Sequence, residues 1–170
     1  MKATEQQEYV DYVTGRLPAL RRLAYLLCGD EHRADDLVQQ TITRLYLRWQ
    51  RISAVEHMDQ YVRTMLVHAF VDERRRPWAR VGLVAHPPDG AQPPDGRVED
   101  SMVLRAALAR IPRRQQAVLV LRFLCDQSVE EVAAALGCTE GTVKSQTSRG
   151  LATLRRMFDG EELAALGKGR

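Results

Sequence analysis

Apolar residues recur along most of this chain at intervals of three and four, the period of helices that bury one face. Leu17, Leu20, Ala24 and Leu27 make the first firm stripe, which Gly29 closes, and the scattered Tyr9, Val10, Tyr12 and Val13 ahead of it fit the opening turns of a helix. Asp30 is placed to cap the next helix. From Glu31 to about Gln50 a longer stripe of Ala34, Leu37, Val38, Thr41, Leu45 and Trp49 predicts that second helix, with Asp35, Asp36, Gln39 and Gln40 at or beside its polar face. Residues 51–57 read as a loop. Met58 to Arg76 predicts a third helix with Tyr61, Val62, Met65, Leu66 and Ala69 inward, ending in Arg74-Arg75-Arg76 before Pro77.

The pattern then breaks. Five of the seven prolines fall between Pro77 and Asp100, and Pro-Pro-Asp-Gly occurs twice there, a turn-rich composition that cannot bury a core. This predicts a linker over residues 79–100 between two small helical domains, 1–78 and 101–170, in an all-α chain. Helical spacing resumes over Ser101 to Arg110 and breaks at Ile111-Pro112, where proline suits the first turn of a new helix. That helix continues through Val118, Leu121 and Leu124.

Two short helices close the chain. Ser128 and Glu131 have the spacing of a capping box, and Val129, Val132, Ala133 and Leu136 repeat along one face before Gly137, which can take the left-handed conformation that ends a helix. Thr139 is the next N-cap. From Thr142 onward Val143, Thr147, Leu151 and Leu154 share one side, while Lys144, Ser145, Ser148 and Arg149 fall mainly on the other. Short hydroxyls and long cations segregated on one face are the donors that suit base edges and phosphates, and helix, tight turn and helix form the motif that enters a DNA major groove.

Overall charge adds little: a net charge of +3 and a pI near 8.9 are only mildly basic, so nucleic-acid binding rests on local patches. Tyr61 to Arg80 supplies one, with five arginines against two acids. Cations at the end of the third helix would complement its dipole by ~0.3–1 kcal/mol even if they bound nothing. Cys28, Cys125 and Cys138 are dispersed in apolar surroundings, which fits reduced thiols, and Cys28 with His32 lacks the second ligand pair a zinc site needs. There is no nucleophile with its base and orienter and no Gly-rich phosphate loop, so neither enzymatic activity nor a metal or other cofactor is expected. No apolar run is long enough for a signal peptide or a membrane span, which predicts a soluble, cytoplasmic protein without membrane insertion.

Three segments in this order carry a resemblance over nearly the whole chain: Ala34 to Thr41 (ADDLVQQT), Tyr61 to Arg76 (YVRTMLVHAFVDERRR), and Leu108 to Arg155 with its terminal helix-turn-helix. The chain resembles bacterial RNA polymerase sigma factors of the sigma-70 family, extracytoplasmic-function (ECF) subfamily, in detail the SigE-type group of actinobacteria. The resemblance implies region 2, a linker and region 4. It implies that Asp35, Asp36, Gln39 and Gln40 dock on the clamp coiled coil of the polymerase beta-prime subunit. The helix from Tyr61, with Arg63, His68, Arg74, Arg75 and Arg76, would open and read the minus-ten element, and Thr142, Lys144, Ser145, Ser148 and Arg149 would read the minus-thirty-five element. Core polymerase, through its beta-prime and beta subunits, and promoter DNA are the implied partners, and the family admits an anti-sigma protein as a third.

The chain departs from the family at Tyr61, often Trp, at His68, often Asn, and at Gln146, often Arg. The base preferred near His68 therefore stays open. A free-standing helix-turn-helix regulator is the alternative function, since the same motif serves repressors and activators. Such regulators usually dimerise, and no dimerisation helix or sensor domain follows Arg155.

Overall fold

The computed structural model describes the backbone of residues 3–73 and 98–167, and side chains within 3–73 and 102–159. It divides into two units, Met1–Pro93 and Pro94–Arg170.

The first unit is a bundle of α1 (Ala3–Cys28), α2 (Glu31–Ile52) and α3 (Met58–Asp72). Gly29, at a φ of 69°, turns the chain out of α1, and the Asp30 carboxylate accepts from the Arg33 N–H at 2.8 Å to start α2. The α2 stripe is buried throughout, from Ala34 to Trp49, and continues to Ile52. It meets Leu20, Ala24 and Leu27 of α1 and Val62, Leu66 and Phe70 of α3 in one core. Each large aliphatic side chain fully buried there contributes roughly 1.5–3 kcal/mol. Thr41 belongs to this stripe at no polar cost, because its hydroxyl donates to the Leu37 carbonyl at 2.8 Å.

The opening turns of α1 are anchored by aromatic rings. Tyr9 stands edge-on to Tyr46 and Trp49, with centroids 5.2 and 5.4 Å away, and its hydroxyl donates to the Ile42 carbonyl at 2.8 Å. Tyr12 lies 5.6 Å from Trp49 and donates to Asp59 at 2.9 Å, and Asp59 also pairs with Arg16 at 2.8 Å. The first turn of α3 is thereby tied to α1. Its far end is tied to α2, where Arg33 donates to Glu73 at 2.8 Å.

The second unit contains α4 (Val98–Ala109), α5 (Arg113–Leu119), a π-helical segment (Val120–Leu124), α6 (Val129–Leu136) and α7 (Glu140–Gly167). Helix α4 opens at Val98, so its first turn takes in the last three residues of the expected linker; the rest of that linker and the C-terminal part of the expected third helix, from Arg74, lie outside the described residues.

One expectation is corrected. Pro112 is the N-cap of α5 and not part of its first turn: its ψ of 138° is extended, while its carbonyl already accepts from the Gln116 N–H at 2.9 Å. The helix runs on through Leu124, but Leu124 is 45% exposed while Val118 and Leu121 are buried. The cause is the π turn, in which the Cys125 N–H reaches back five residues to the Val120 carbonyl at 3.0 Å and shifts the phase of the stripe.

Helix α7 packs against α5 and α6, and at Gly150 even a Cβ would stand 2.8 Å from Leu119.

Candidate nucleic-acid interface

The helix-turn-helix is built as its caps predict. The Ser128 hydroxyl accepts from the Glu131 N–H at 3.1 Å and the Glu131 carboxylate accepts from the Ser128 N–H at 2.7 Å, a complete capping box. Gly137 closes α6 in the left-handed region, φ 61° and ψ 43°, with the Cys138 N–H returning to the Ala133 carbonyl at 3.0 Å. Thr139 then caps α7, accepting from the Thr142 N–H at 3.1 Å, and the helix starts at Glu140, two residues earlier than the spacing of apolar residues indicated. Val132, Ala133 and Val143 fill the angle between the two helices.

The outer face of α7 carries Lys144, Ser145, Ser148 and Arg149, all exposed. Lys144 stands 3.8 Å from the Glu140 carboxylate, a weak pair between exposed groups that a phosphate or base can displace. The Ser145 hydroxyl donates to the Thr142 carbonyl at 3.0 Å. Thr142 differs from the others: it is half-buried, and its hydroxyl lies 3.0 Å from that of Thr139. Its first duty is to the cap. Glu140, absent from the sequence-based set, shares the exposed row with Lys144 and Ser148 at i, i+4 spacing.

In the first unit Asp35, Asp36 and Gln39 are exposed and Gln40 is half-buried. Asp35 is paired with Arg21 of α1 at 3.0 Å, and Gln39 and Gln40 line a shallow depression with Thr43 and Arg44. Periodicity passed over Leu47, 77% exposed, which continues the line of Asp36, Gln40 and Thr43 along α2. A leucine standing free beside a polar patch is the signal that could have widened that candidate surface.

Helix α3 does not bring its two described candidates together. Arg63 and His68, both half-buried, are ~140° apart around the helix. The Arg63 guanidinium lies close enough to Tyr12 to act on its ionisation, on the side facing α1. Arg74, Arg75 and Arg76 lie outside the described residues. Immediately before them, Glu73 strengthens the hold of Arg33 on its proton through their hydrogen bond and charge, against the opposing effect of burial.

Among the described residues no group of His, Cys, Asp and Glu is arranged to hold a metal, and no helix is long and apolar enough to cross a membrane.

A capped helix-turn-helix with an outward row of hydroxyls and cations, in a chain that also holds a separate helical bundle, defines a modular all-helical DNA-binding protein. Residues 13–80 match the sigma-70 region 2 family and residues 101–154 match sigma-70 region 4. An RNA polymerase sigma-E factor of Streptomyces avermitilis is 36% identical over 168 residues, covering 95% of this chain and 90% of that protein. The ECF RNA polymerase sigma factor EcfG of Rhodopseudomonas palustris is 30% identical over 161 residues, 89% of this chain and 87% of its own. Among solved structures, the sigma factor RpoE of Bartonella quintana, crystallised with the anti-sigma factor NepR, superposes with a TM-score of 0.72 over 90% of this chain and 98% of that one, at 24% identity, a likeness of fold. The chain belongs to the sigma-70 family, in its ECF group of sigma factors, and serves promoter recognition in transcription initiation.

Proposed function

We propose that the protein is a dissociable polymerase subunit whose α7 reads the minus-thirty-five element with Lys144, Ser145, Ser148 and Arg149, Thr142 holding the turn that presents them. The observation that carries this division of labour is the segregation on α7: Val143 is buried while all four readers stand exposed on a face centred on the opposite side. Arg149 reads a base edge, for which a guanidinium is suited by its two parallel donors, and Lys144 divides its contacts between base and phosphate.

In the first unit, Asp35, Asp36, Gln39 and Gln40 dock on the clamp coiled coil of the beta-prime subunit. Arg63, His68 and the arginines 74–76 act on the minus-ten element, with residues 79–97 as the tether between the two units. The protein catalyses no covalent step and acts in the cytoplasm with the polymerase. An anti-sigma protein is a further partner class, by likeness to RpoE, whose solved structure holds NepR. Matches to both sigma regions support a polymerase subunit over a free-standing regulator, which would need only the helix-turn-helix.

The test is a promoter-library transcription profile with core polymerase for wild type, Lys144→Ala and Arg149→Ala. Loss of a base reader costs ~1–3 kcal/mol and relaxes preference at one upstream position, whereas loss of a phosphate contact weakens all promoters alike and lowers the salt slope by ~1. Identical upstream preferences in all three proteins would refute the groove assignment.

A further inference from the structure

Three glycines lie in or beside the helix-turn-helix at positions the structure describes, and only two have a reason inside the fold. Gly137 sits at a φ of 61°, where any side chain is strained. Gly150 is where α5 and α7 meet, and a Cβ would stand 2.8 Å from Leu119. Gly141 has neither constraint. Its φ lies outside the left-handed region, and a Cβ built on it finds only the Thr139 hydroxyl, at an ordinary van der Waals distance of 3.8 Å. A glycine inside a helix is less stable than alanine there, so the folded chain alone would be better served by alanine.

The place of Gly141 supplies a reason outside the fold. It is exposed in the first turn of α7 and begins the row that continues through Ser145 and Arg149, beside the row of Lys144 and Ser148. Bases are read from the N-terminal part of such a helix, and a bare Cα lets another backbone or a base come nearer than any side chain permits.

We propose that Gly141 is the point of closest approach between α7 and the promoter duplex, and that its missing side chain sets how deeply the helix sits in the groove. This rests on the groove assignment of α7 proposed above. A Cβ at 141 would hold the whole helix away from the DNA, so that Lys144, Ser145, Ser148 and Arg149 all withdraw from the bases together. The damage should grow with the size of the side chain and erase upstream preference as a whole, without relaxing one base position.

The experiment compares Gly141→Ala, Gly141→Leu and Gly15→Ala in the full chain. Gly15 is another exposed helical glycine, in the middle of α1, with nothing within 4 Å of a built Cβ, and is far in sequence from the readers. Two quantities are measured: the Tm of the free protein, and transcription with core polymerase from a promoter with its upstream element intact relative to one with that element scrambled. Both alanine variants should raise Tm by ~2–5 °C, the usual consequence of removing a helical glycine. Gly15→Ala should keep the wild-type transcription ratio. Gly141→Ala should lower it about tenfold, as the removal of one good base-reading side chain would, and Gly141→Leu should bring it near one.

A wild-type ratio in Gly141→Ala overturns the proposal whatever the leucine variant does, and so does a fall in its Tm, which would mean that the fold itself needs this glycine. Lys144→Ala and Arg149→Ala separate the two failures. If they change upstream preference while Gly141→Ala does not, the close approach is wrong and the groove assignment stands; if they have no effect either, the groove assignment has failed.

Discussion

Removing one hydroxyl from Tyr12 tests how the first unit holds the helix that bears its promoter-opening candidates. Tyr12→Phe keeps the ring against Trp49, 5.6 Å between centroids, and deletes only the 2.9 Å hydrogen bond to Asp59 at the start of α3. A hydrogen bond to a charged group contributes ~1.5–3 kcal/mol, but the Asp59 side chain is 40% exposed and keeps Arg16 at 2.8 Å, so water and the guanidinium make up part of the loss. About 1 kcal/mol remains, or a fall in Tm of ~4–8 °C for a domain of this size.

The pH dependence gives a second, independent reading. Burial, then the hydrogen bond and the charge of Asp59, push the Tyr12 phenol well above the usual tyrosine range, with Arg16 and Arg63 opposing. A proton held more tightly in the folded chain gives stability that is complete below the unfolded value of about 10 and is lost as pH rises from there toward the folded value. Wild type should therefore lose stability more steeply than Tyr12→Phe above about pH 10. Tyr9, also raised, chiefly by burial, leaves the variant part of the slope. The assay is thermal unfolding followed by tryptophan fluorescence, in which Trp49, only 5% exposed, reports on this corner. Equal midpoints at pH 7, or parallel loss above pH 10, would show that Tyr12 does not secure α3.

Two other perturbations separate fold from partner. Asp35→Arg combined with Gln39→Ala should abolish co-elution with core polymerase while lowering stability by no more than ~1 kcal/mol, since the Arg21 pair it breaks is more than half exposed on both sides; normal co-elution would remove these residues from the docking surface. Ser128→Ala should cost ~1 kcal/mol by opening the capping box, and an unchanged urea midpoint for the second unit would mean that water replaces the cap at no loss.

The parts of the fold legible in the sequence were those fixed by neighbours within a turn or two. The α2 stripe from Ala34 to Trp49, the Ser128–Glu131 box and the left-handed Gly137 each depend on spacing that can be counted, and all three stand in the structure as counted. The outward placement of Lys144, Ser145, Ser148 and Arg149 follows from the burial of Val143 on the other side and was legible for the same reason. The hold on both ends of α3 was not. Arg33 and Glu73 are 40 positions apart and Tyr12 and Asp59 are 47 apart, and nothing local distinguishes these polar residues from solvated ones. The start of α1 was faint because tyrosines that half-bury a ring and spend their hydroxyl on a partner look neither apolar nor polar in a periodic pattern.

The π segment shows why a correct period can still misplace a residue. Val118, Leu121 and Leu124 keep the spacing of one α-helical face, so counting alone assigns all three to the core. Once the Cys125 N–H bonds five residues back, the turn holds one residue more than counting assumes, and Leu124 rotates outward beside exposed Phe123. Further along the chain the Gln127 N–H bonds the Leu121 carbonyl at 3.0 Å, with Asp126 at a φ of 54° making the turn, so that the donor of this buried residue is paired. The Arg122 guanidinium meets the Gln127 carbonyl. A regular α-helix carried through Cys125 would hand the Leu121 carbonyl to the Cys125 N–H and take it from the buried Gln127 N–H, a loss of ~1–3 kcal/mol of the same order as the ~1.5–3 kcal/mol of burying Leu124. The wide turn leaves that carbonyl to Gln127, and with it comes the path that delivers Ser128 to the N-cap where the helix-turn-helix begins.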